Sequence, residues 1–463
     1  MHIDIRNDVT IINNPTEDLL DFAKETFCYV DKSKLYQIKR LSRSRWNRNE
    51  ALIRKLEKES RGDLFKFDGS KLEIHTGLLH LISNYSDGAS VTDNRIETGR
   101  TIALPWANKP HNLRPYQEEA ILKMELSKKG LVNFATGLGK TLVATHLTKK
   151  LRLNTLVVCP SESVAKQFYD VFVSAFGKTK VGFYGDGKKK MNDLTIGIAA
   201  SIVRSIDEFE REDFGLVIMD EVHHCPANTF FEIATKLAKV GRFYGLTATD
   251  YRSDGKDLMI TAGCGEVLIR RDIKWGVENG WLAEPYFIVR EIDTGGRDFK
   301  DDKLKSYKEH VLNCSLTKNR IFSDAKSMIE AGKSVLVLVD EVAHGKELSD
   351  QLGIPFATGQ DSKSQEYVDL LNDGKIRGLV GTDGKISEGT DTKNVDVLIM
   401  ANFTASKGPV IQAVGRGLRK QGAKTKCLIL DYVPKGSTML TRHAYNRMSY
   451  YRQITDKVKL IKL

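Results

Sequence analysis

No stretch of this 463-residue chain approaches the roughly 20 consecutive apolar residues that cross a bilayer as a helix. Cysteine is sparse. Cys28, Cys159, Cys225, Cys264, Cys314 and Cys427 stand singly, without the paired spacing of a disulfide framework or a zinc site. The contiguous His223, His224 and Cys225 cannot easily converge on one ion, so no metal cluster is expected. The opening MHIDIRNDVT lacks the basic-then-apolar layout of a secretory leader, and the expected location is the cytoplasm. With only 10 prolines, 41% hydrophobic and 28% charged residues, the composition is that of a globular protein, not a low-complexity one.

What is abundant is positive charge. The net charge of +11 favours a polyanionic partner. It is segregated, because residues 1–31 carry 7 acidic and 2 basic side chains, whereas residues 32–61 carry 11 basic and 3 acidic. Lys32, Lys34, Lys39, Arg40, Arg43, Arg45 and Arg48 follow one another with no acid between them, and Tyr36 and Trp46 are interleaved. Such a segment can neutralise several phosphates and stack an unpaired base. The alternative is a solvated charged helix with Trp46 in the core. Lys188, Lys189 and Lys190 read as an exposed loop tip.

Residues 131–141, LVNFATGLGKT, are an apolar run breaking into a glycine loop. A strand, loop and helix in that order present bare N–H groups to phosphate oxygens at a helix N-terminus. Thr136, Gly137, Leu138 and Gly139 would form the cradle, Lys140 would reach the terminal phosphates, and Thr141 would ligate Mg²⁺. Phe134 stands where the full pattern has glycine; at a strand end it can pack inward. In LVIMDEVHH (216–224) a buried-type strand ends in two carboxylates. Asp220 can hold the Mg²⁺ shell, and Glu221 can orient and deprotonate the attacking water. Together the two segments imply hydrolysis of a nucleoside triphosphate.

Residues 1–105 read as a small α+β module: a helix in 18–30, then a strand, a turn at Asp68-Gly69-Ser70, a second strand and a short helix in 64–82. Pro105 to Pro110 reads as a linker. From about 111 to 285, strands LVNF, TLVVC, TIGIAA, LVIMD and FYGLTA alternate with amphipathic stretches, which implies a parallel sheet covered on both faces. The charged stretch 294–310 precedes a second alternating region with strands at 334–340, 378–383, 396–402 and 427–433. The expected divisions are 1–105, 106–285 and 286–463.

Further segments follow in a consistent order. In LRPYQEEA (113–120), Gln117 can reach an adenine edge, although taken alone the segment reads better as the start of a surface helix. LTATDYR (246–252) puts Thr247 and Thr249 at a strand end. IQAVGRGLRK (411–420) spaces Gln412, Arg416 and Arg419 along one helix face. Such a face is either solvated or an arginine finger that meets the γ-phosphate.

Over roughly residues 111–433 the chain resembles the superfamily 2 helicases and translocases. ATGLGKT looks like their motif I, VVCPSESVAKQF motif Ia, DEVH motif II, TAT motif III, GTDGKISEGTD (381–391) motif V and QAVGRGLR motif VI. The resemblance implies an α/β fold of two tandem RecA-like domains, with ATP and Mg²⁺ between them, preceded by the small α+β domain. It implies that Arg114 and Gln117 belong to the ATP site, with Gly389 and Asp391 in the loop that feels both ATP and strand. It also implies that Thr247 and Thr249 couple hydrolysis to movement, and that Gln412, Arg416 and Arg419 act in catalysis. The layout of a basic module ahead of LRPYQ is similar to the phage helicases of the UvsW type. That implies remodelling of branched or forked DNA by a monomer, in the host cytoplasm if a phage encodes it, with Lys39, Arg40, Arg43, Arg45, Trp46 and Arg48 on the DNA. A duplex translocase serving a partner, and an RNA helicase, are the competing readings.

Overall fold

The computed structural model describes residues 1–43, 49–223, 227–248, 256–300, 302–359, 361, 363–382, 392–420, 422 and 424–462. Arg45, Trp46, Arg48, His224, Cys225, Thr249, Gly389 and Asp391 lie outside the described residues, as does the side chain of Arg43. Two compact units divide the chain: Met1–Phe134 with Gly139–Arg270, and Ala135–Leu138 with Arg271–Leu463. No helix among the described residues is long and apolar enough to cross a membrane.

The first unit opens with an α+β module. Period-two alternation in His2–Ile5, Val9–Asn13 and Lys71–His75 buries one face of each strand. Among the described residues they join a five-stranded sheet in the order Phe65–Phe67, Lys71–His75, Val9–Asn13, His2–Ile5, Ser90–Asp93. The expected turn is present: Asp68 accepts N–H bonds from Ser70 (2.8 Å) and Lys71 (2.7 Å). Helix Glu17–Thr26 starts at Thr16, whose hydroxyl accepts the Leu19 N–H at 3.3 Å. Leu19, Phe27, Leu72 and Leu78 fill the core under this sheet, and Met259 and Ala262 of helix Asp257–Cys264 belong to the same core.

The basic segment folds as helix Lys32–Arg43, followed by helix Glu50–Glu59. Lys39 and Arg40 are exposed, and Tyr36 is 70% exposed. Asp31 caps the first of these helices, accepting from the N–H groups of Ser33 (3.0 Å) and Lys34 (3.1 Å), and pairs with Lys256 at 2.7 Å. Burial works against the charged form of Asp31. The bonds from Lys256, Ser33 and Lys34 outweigh it and hold the carboxyl down to about 2.

The larger sheet of this unit runs Lys188–Lys190, Val181–Gly185, Leu194–Ile198, Thr155–Cys159, Leu216–Met219, Arg242–Thr247, Lys129–Phe134, Val267–Arg271. Its interior neighbours pair in parallel, and strands such as Leu216–Met219 are buried along their whole length. That is why they read as unbroken apolar runs. Lys188, Lys189 and Lys190 are not a loop tip. They form an exposed edge strand, antiparallel to Val181–Gly185, across a turn at Asp186 (φ +52°) and Gly187 (φ +73°). Lysines on an edge discourage pairing with a further strand.

In the second unit a seven-stranded sheet has the order Phe356–Ala357, Gly378–Thr382, Val335–Val339, Val397–Ala401, Lys426–Pro434, Glu284–Ile292, Val458–Lys462. Glu284–Ile292 corrects the sequence reading, because it pairs in parallel with both Lys426–Pro434 and Val458–Lys462. The charged stretch 294–310 therefore lies inside this unit and not ahead of its sheet. Helix Thr438–Ile454 is anchored by Arg447, which donates two bonds to Asp431 (2.8 and 2.7 Å) and one to the Thr404 carbonyl (2.9 Å). Tyr451 donates to the same Asp431 carboxylate at 2.8 Å.

Candidate nucleotide site

In the first unit, strands Lys129–Phe134, Arg242–Thr247 and Leu216–Met219 are adjacent, and the chemistry-bearing residues gather at their C-terminal ends. Ligands of parallel sheets bind at such ends. Phe134 is fully buried and packs edge-on against Tyr116, ring centroids 5.3 Å apart, so its bulk points inward as expected. Gly139 caps helix Lys140–Leu151 with φ +85°, a conformation that side chains rarely adopt. Gln117 packs over it, and a Cβ at Gly139 would lie 2.3 Å from the Gln117 Nε2.

Lys140 follows the loop directly. Its Nζ donates to the Phe134 carbonyl at 3.4 Å and stands 3.0 Å from Glu221 Oε1. Thr141 lies in the first turn of the same helix, half-buried.

The two carboxylates differ in environment. Asp220 continues the strand, its N–H donating to the Val158 carbonyl at 2.9 Å, and its side chain is buried. Glu221 then turns the chain with φ +46°, left-handed backbone that costs a non-glycine residue of order 1–2 kcal/mol. Asp220 Oδ1 has no hydrogen-bond partner among the described residues. Burial raises the pKa of Asp220 well above the carboxylate range, the charge of Glu221 raises it further, and Lys140 opposes both.

A buried carboxylate oxygen without a donor is what a cation would complete. Mg²⁺ fits this donor set, since it takes one or two protein oxygens and fills its shell with phosphate and water. Thr141 and Asp220 are the residues that would hold it.

The sequence offered His223 only as part of a candidate metal-binding triplet, and no role at the nucleotide site. Its Nδ1 lies 2.6 Å from Thr247 Oγ1 and 3.5 Å from Glu221 Oε2, joining the second carboxylate to the end of the neighbouring strand. The Ala248 N–H also donates to Glu221 Oε2, at 3.4 Å. The signal was the fourth letter of DEVH, but its partner is 24 residues away and only the sheet brings them together.

Gln117 is buried, and its Oε1 accepts the Arg114 N–H at 2.9 Å, closing the first turn of helix Pro115–Ser127. Arg114 Nη1 donates to the Tyr116 hydroxyl at 3.0 Å.

In the second unit, Gln412 and Arg416 are buried on helix Lys407–Gly417. Arg419 is not on that helix. The helix ends at Gly417 with Leu418 as its cap, and the Arg419 N–H donates back to Arg416 at 3.3 Å. Ala135–Leu138 belong to this unit, and there a Cβ on Gly137 would come 2.9 Å from Arg419 Cγ. A Cβ on Gly415 would come 3.0 Å from Thr136 Cβ. Leu138 is fully buried.

Residues 110–252 match the family model described as the res subunit of type III restriction enzymes. A putative DNA 3′-5′ helicase Rad25 of Halobacterium salinarum is 27% identical over 79% of this chain and 61% of its own length. The chain thus spans about three fifths of that relative. The probable helicase D10 of Escherichia phage T5 is 26% identical over 76% of this chain and 78% of the relative. The ATP-dependent DNA helicase uvsW of Enterobacteria phage T4 is 25% identical over 72% of each. In fold, a variant of S. cerevisiae Dbp5 bound to RNA and ADP BeF3 aligns with TM-score 0.51 over 76% of this chain and 94% of that one, at 13% identity. In its ordered motifs and in its α/β fold of RecA-like type, the chain is similar to the superfamily 2 helicases, with phage enzymes of the UvsW type among its relatives.

Proposed function

We propose that the chain is an ATP hydrolase that couples turnover to movement on DNA, and that its output is the remodelling of branched DNA. This includes branch migration, fork regression and unwinding of short duplex arms. The observation that carries the hydrolase reading is the grouping of Lys140, Asp220 and Glu221 beyond the ends of the two strands that flank Arg242–Thr247, with Lys140 Nζ 3.0 Å from Glu221. Thr136, Gly137, Leu138 and Gly139 supply backbone donors for phosphate, and Lys140 binds the terminal phosphates once it leaves Glu221. Glu221 accepts a proton from the attacking water. Asp220 and Thr141 hold Mg²⁺, which neutralises phosphate charge when bound. Gln412, Arg416 and Arg419 contribute donors to the phosphoryl group undergoing transfer. Arg114 and Gln117 fix the base side of ATP. Thr247, through His223, carries the state of Glu221 to the segment containing Thr249, while Gly389 and Asp391 answer to both ATP and strand.

Residues 1–105 act as the DNA-binding accessory module, with Lys39, Arg40, Arg43, Arg45, Trp46 and Arg48 on the DNA. The rest of the first unit, from residue 106 to Arg270, and the second unit, from Arg271 onward, act as the two motor domains. Two of the relatives, from Halobacterium salinarum and phage T4, are named as DNA helicases, which supports DNA as the partner. The restriction-subunit family match favours one other reading, a duplex translocase whose output is a partner's activity.

The test is ATP hydrolysis by the full chain with no nucleic acid, single-stranded DNA, linear duplex, a four-way junction and matched RNA. Strongest stimulation by the junction is expected. Equal stimulation by linear duplex without strand separation would favour the motor serving a partner. Preference for RNA would overturn the DNA reading.

A further inference from the structure

A cavity of about 810 Å³ in the second unit is lined by none of the residues assigned to the nucleotide site. It lies where strands of the seven-stranded sheet begin. Lys333, Lys424, Lys426, Lys457 and Lys459 line it. Lys333 stands just before strand Val335–Val339, Lys424 and Lys426 lead into Lys426–Pro434, and Lys457 and Lys459 open Val458–Lys462. In sheet order, Val335–Val339, Val397–Ala401, Lys426–Pro434, Glu284–Ile292 and Val458–Lys462 are successive neighbours. At about 4.8 Å per neighbour the row extends about 19 Å. That is the length of about five or six nucleotides along one strand of a duplex, at about 3.4 Å each.

The acids nearby offset this charge only in part. Asp396 and Asp456 line the same cavity, and Asp396 Oδ2 already accepts the Ser334 N–H at 3.0 Å. Lys457 is held by Glu284, and its ammonium lies 4.6 Å from the centroid of the Tyr286 ring. Lys424 donates to the carbonyl of Gly417 at 2.6 Å, at the negative end of helix Lys407–Gly417, and burial lowers its pKa. Lys333, Lys426 and Lys459 are all exposed, and none of their ammoniums makes a hydrogen bond or ion pair among the described residues, although that of Lys426 lies 5.4 Å from the centroid of the Tyr286 ring.

Like charges strung along an edge repel one another, and a linear polyanion relieves that repulsion. A single phosphate would need a converging cage, which a row about 19 Å long does not provide. We propose that this edge of the second unit binds the phosphate backbone of a nucleic-acid strand, as a contact additional to the basic helices of the first unit. The proposal rests on the reading of DNA as the partner. The tether from Lys424 to Gly417 places this contact at the end of the helix that carries Gln412 and Arg416.

The experiment uses the full chain and a triple variant, Lys333→Gln, Lys426→Gln and Lys459→Gln, none of which belongs to the nucleotide site. Fluorescence anisotropy would follow binding of labelled single-stranded, duplex and four-way-junction DNA between about 50 and 200 mM salt. The expected result is weaker binding, with the slope of log K against log salt smaller in magnitude by about 2–3. ATP hydrolysis without DNA and the thermal melt should stay at parental values, and the corresponding triple arginine variant should restore affinity. Parental affinity and slope in the glutamine variant would overturn the proposal while leaving DNA as the partner. A parent that bound none of these DNAs would instead overturn the DNA reading itself, and this contact with it.

Discussion

The ammonium of Lys140 and the carboxylate of Glu221 stand 3.0 Å apart, so the group proposed to bind phosphate is held by the group proposed to activate water. Phosphate binding has to separate them. Glu221→Gln is therefore expected to bind ATP more tightly than the parent while turnover falls by about 10²–10⁴-fold. Lys140→Ala is expected to lose both. Equilibrium nucleotide binding beside single-turnover hydrolysis checks this, and normal turnover by Glu221→Gln would remove the water-activation role.

Asp220 adds a pH dependence. Its folded pKa is raised by burial and by Glu221, so the folded state favours the protonated acid. The stabilisation is present below the ordinary value of 3.8 and is lost as pH rises from there toward the raised folded value. Without nucleotide, Asp220→Asn should melt above the parent at pH 7 and near it at pH 4. The gain at pH 7 should be of order 1 kcal/mol, or about 2–4 °C for a unit of this size. Melting curves at the two pH values decide it. A variant less stable than the parent at pH 7 would contradict the assigned cause.

Arg447 is fully buried against Asp431. Asp431→Ala strands that guanidinium and takes a partner from Tyr451, and should cost the second unit about 3–5 kcal/mol. Urea unfolding with a probe in helix Thr438–Ile454 would read the loss. A cost under about 1 kcal/mol would mean that water reaches the site.

Lys39 and Arg40 lie exposed on helix Lys32–Arg43. Replacing both with Gln should weaken junction binding and reduce the salt slope by about 2, with hydrolysis in the absence of DNA unchanged. An unaltered slope would return this helix to the role of a solvated face.

The residues that announced themselves were those whose chemistry depends on local order. A glycine loop before Lys140 and an apolar run before Asp220 are legible because strand, loop and helix follow directly along the chain. Strand Leu216–Met219 is buried on both faces and shows as a continuous apolar stretch. Glu284–Ile292 escaped because it carries Glu284, Arg290 and Glu291; their charge is answered by partners distant in sequence, Arg290 by Asp324 at 2.9 Å. Arg419 was misplaced because helical spacing says nothing of where a helix stops, and here it stops at Gly417. His223 needed the sheet itself, since its contact with Thr247 spans two strands.

The core beneath the amino-terminal sheet includes Met259 and Ala262, and a Cβ on Gly77 would fall 2.2 Å from the Thr261 carbonyl oxygen. A chain trimmed to begin near residue 106 would lay these side chains bare and tend to stick to its own kind. The module is thus less an attachment than one wall of a shared interior. Exchanging it for a module from a relative would require rewriting the helix Asp257–Cys264 at the same time, so the two should be inherited as a pair.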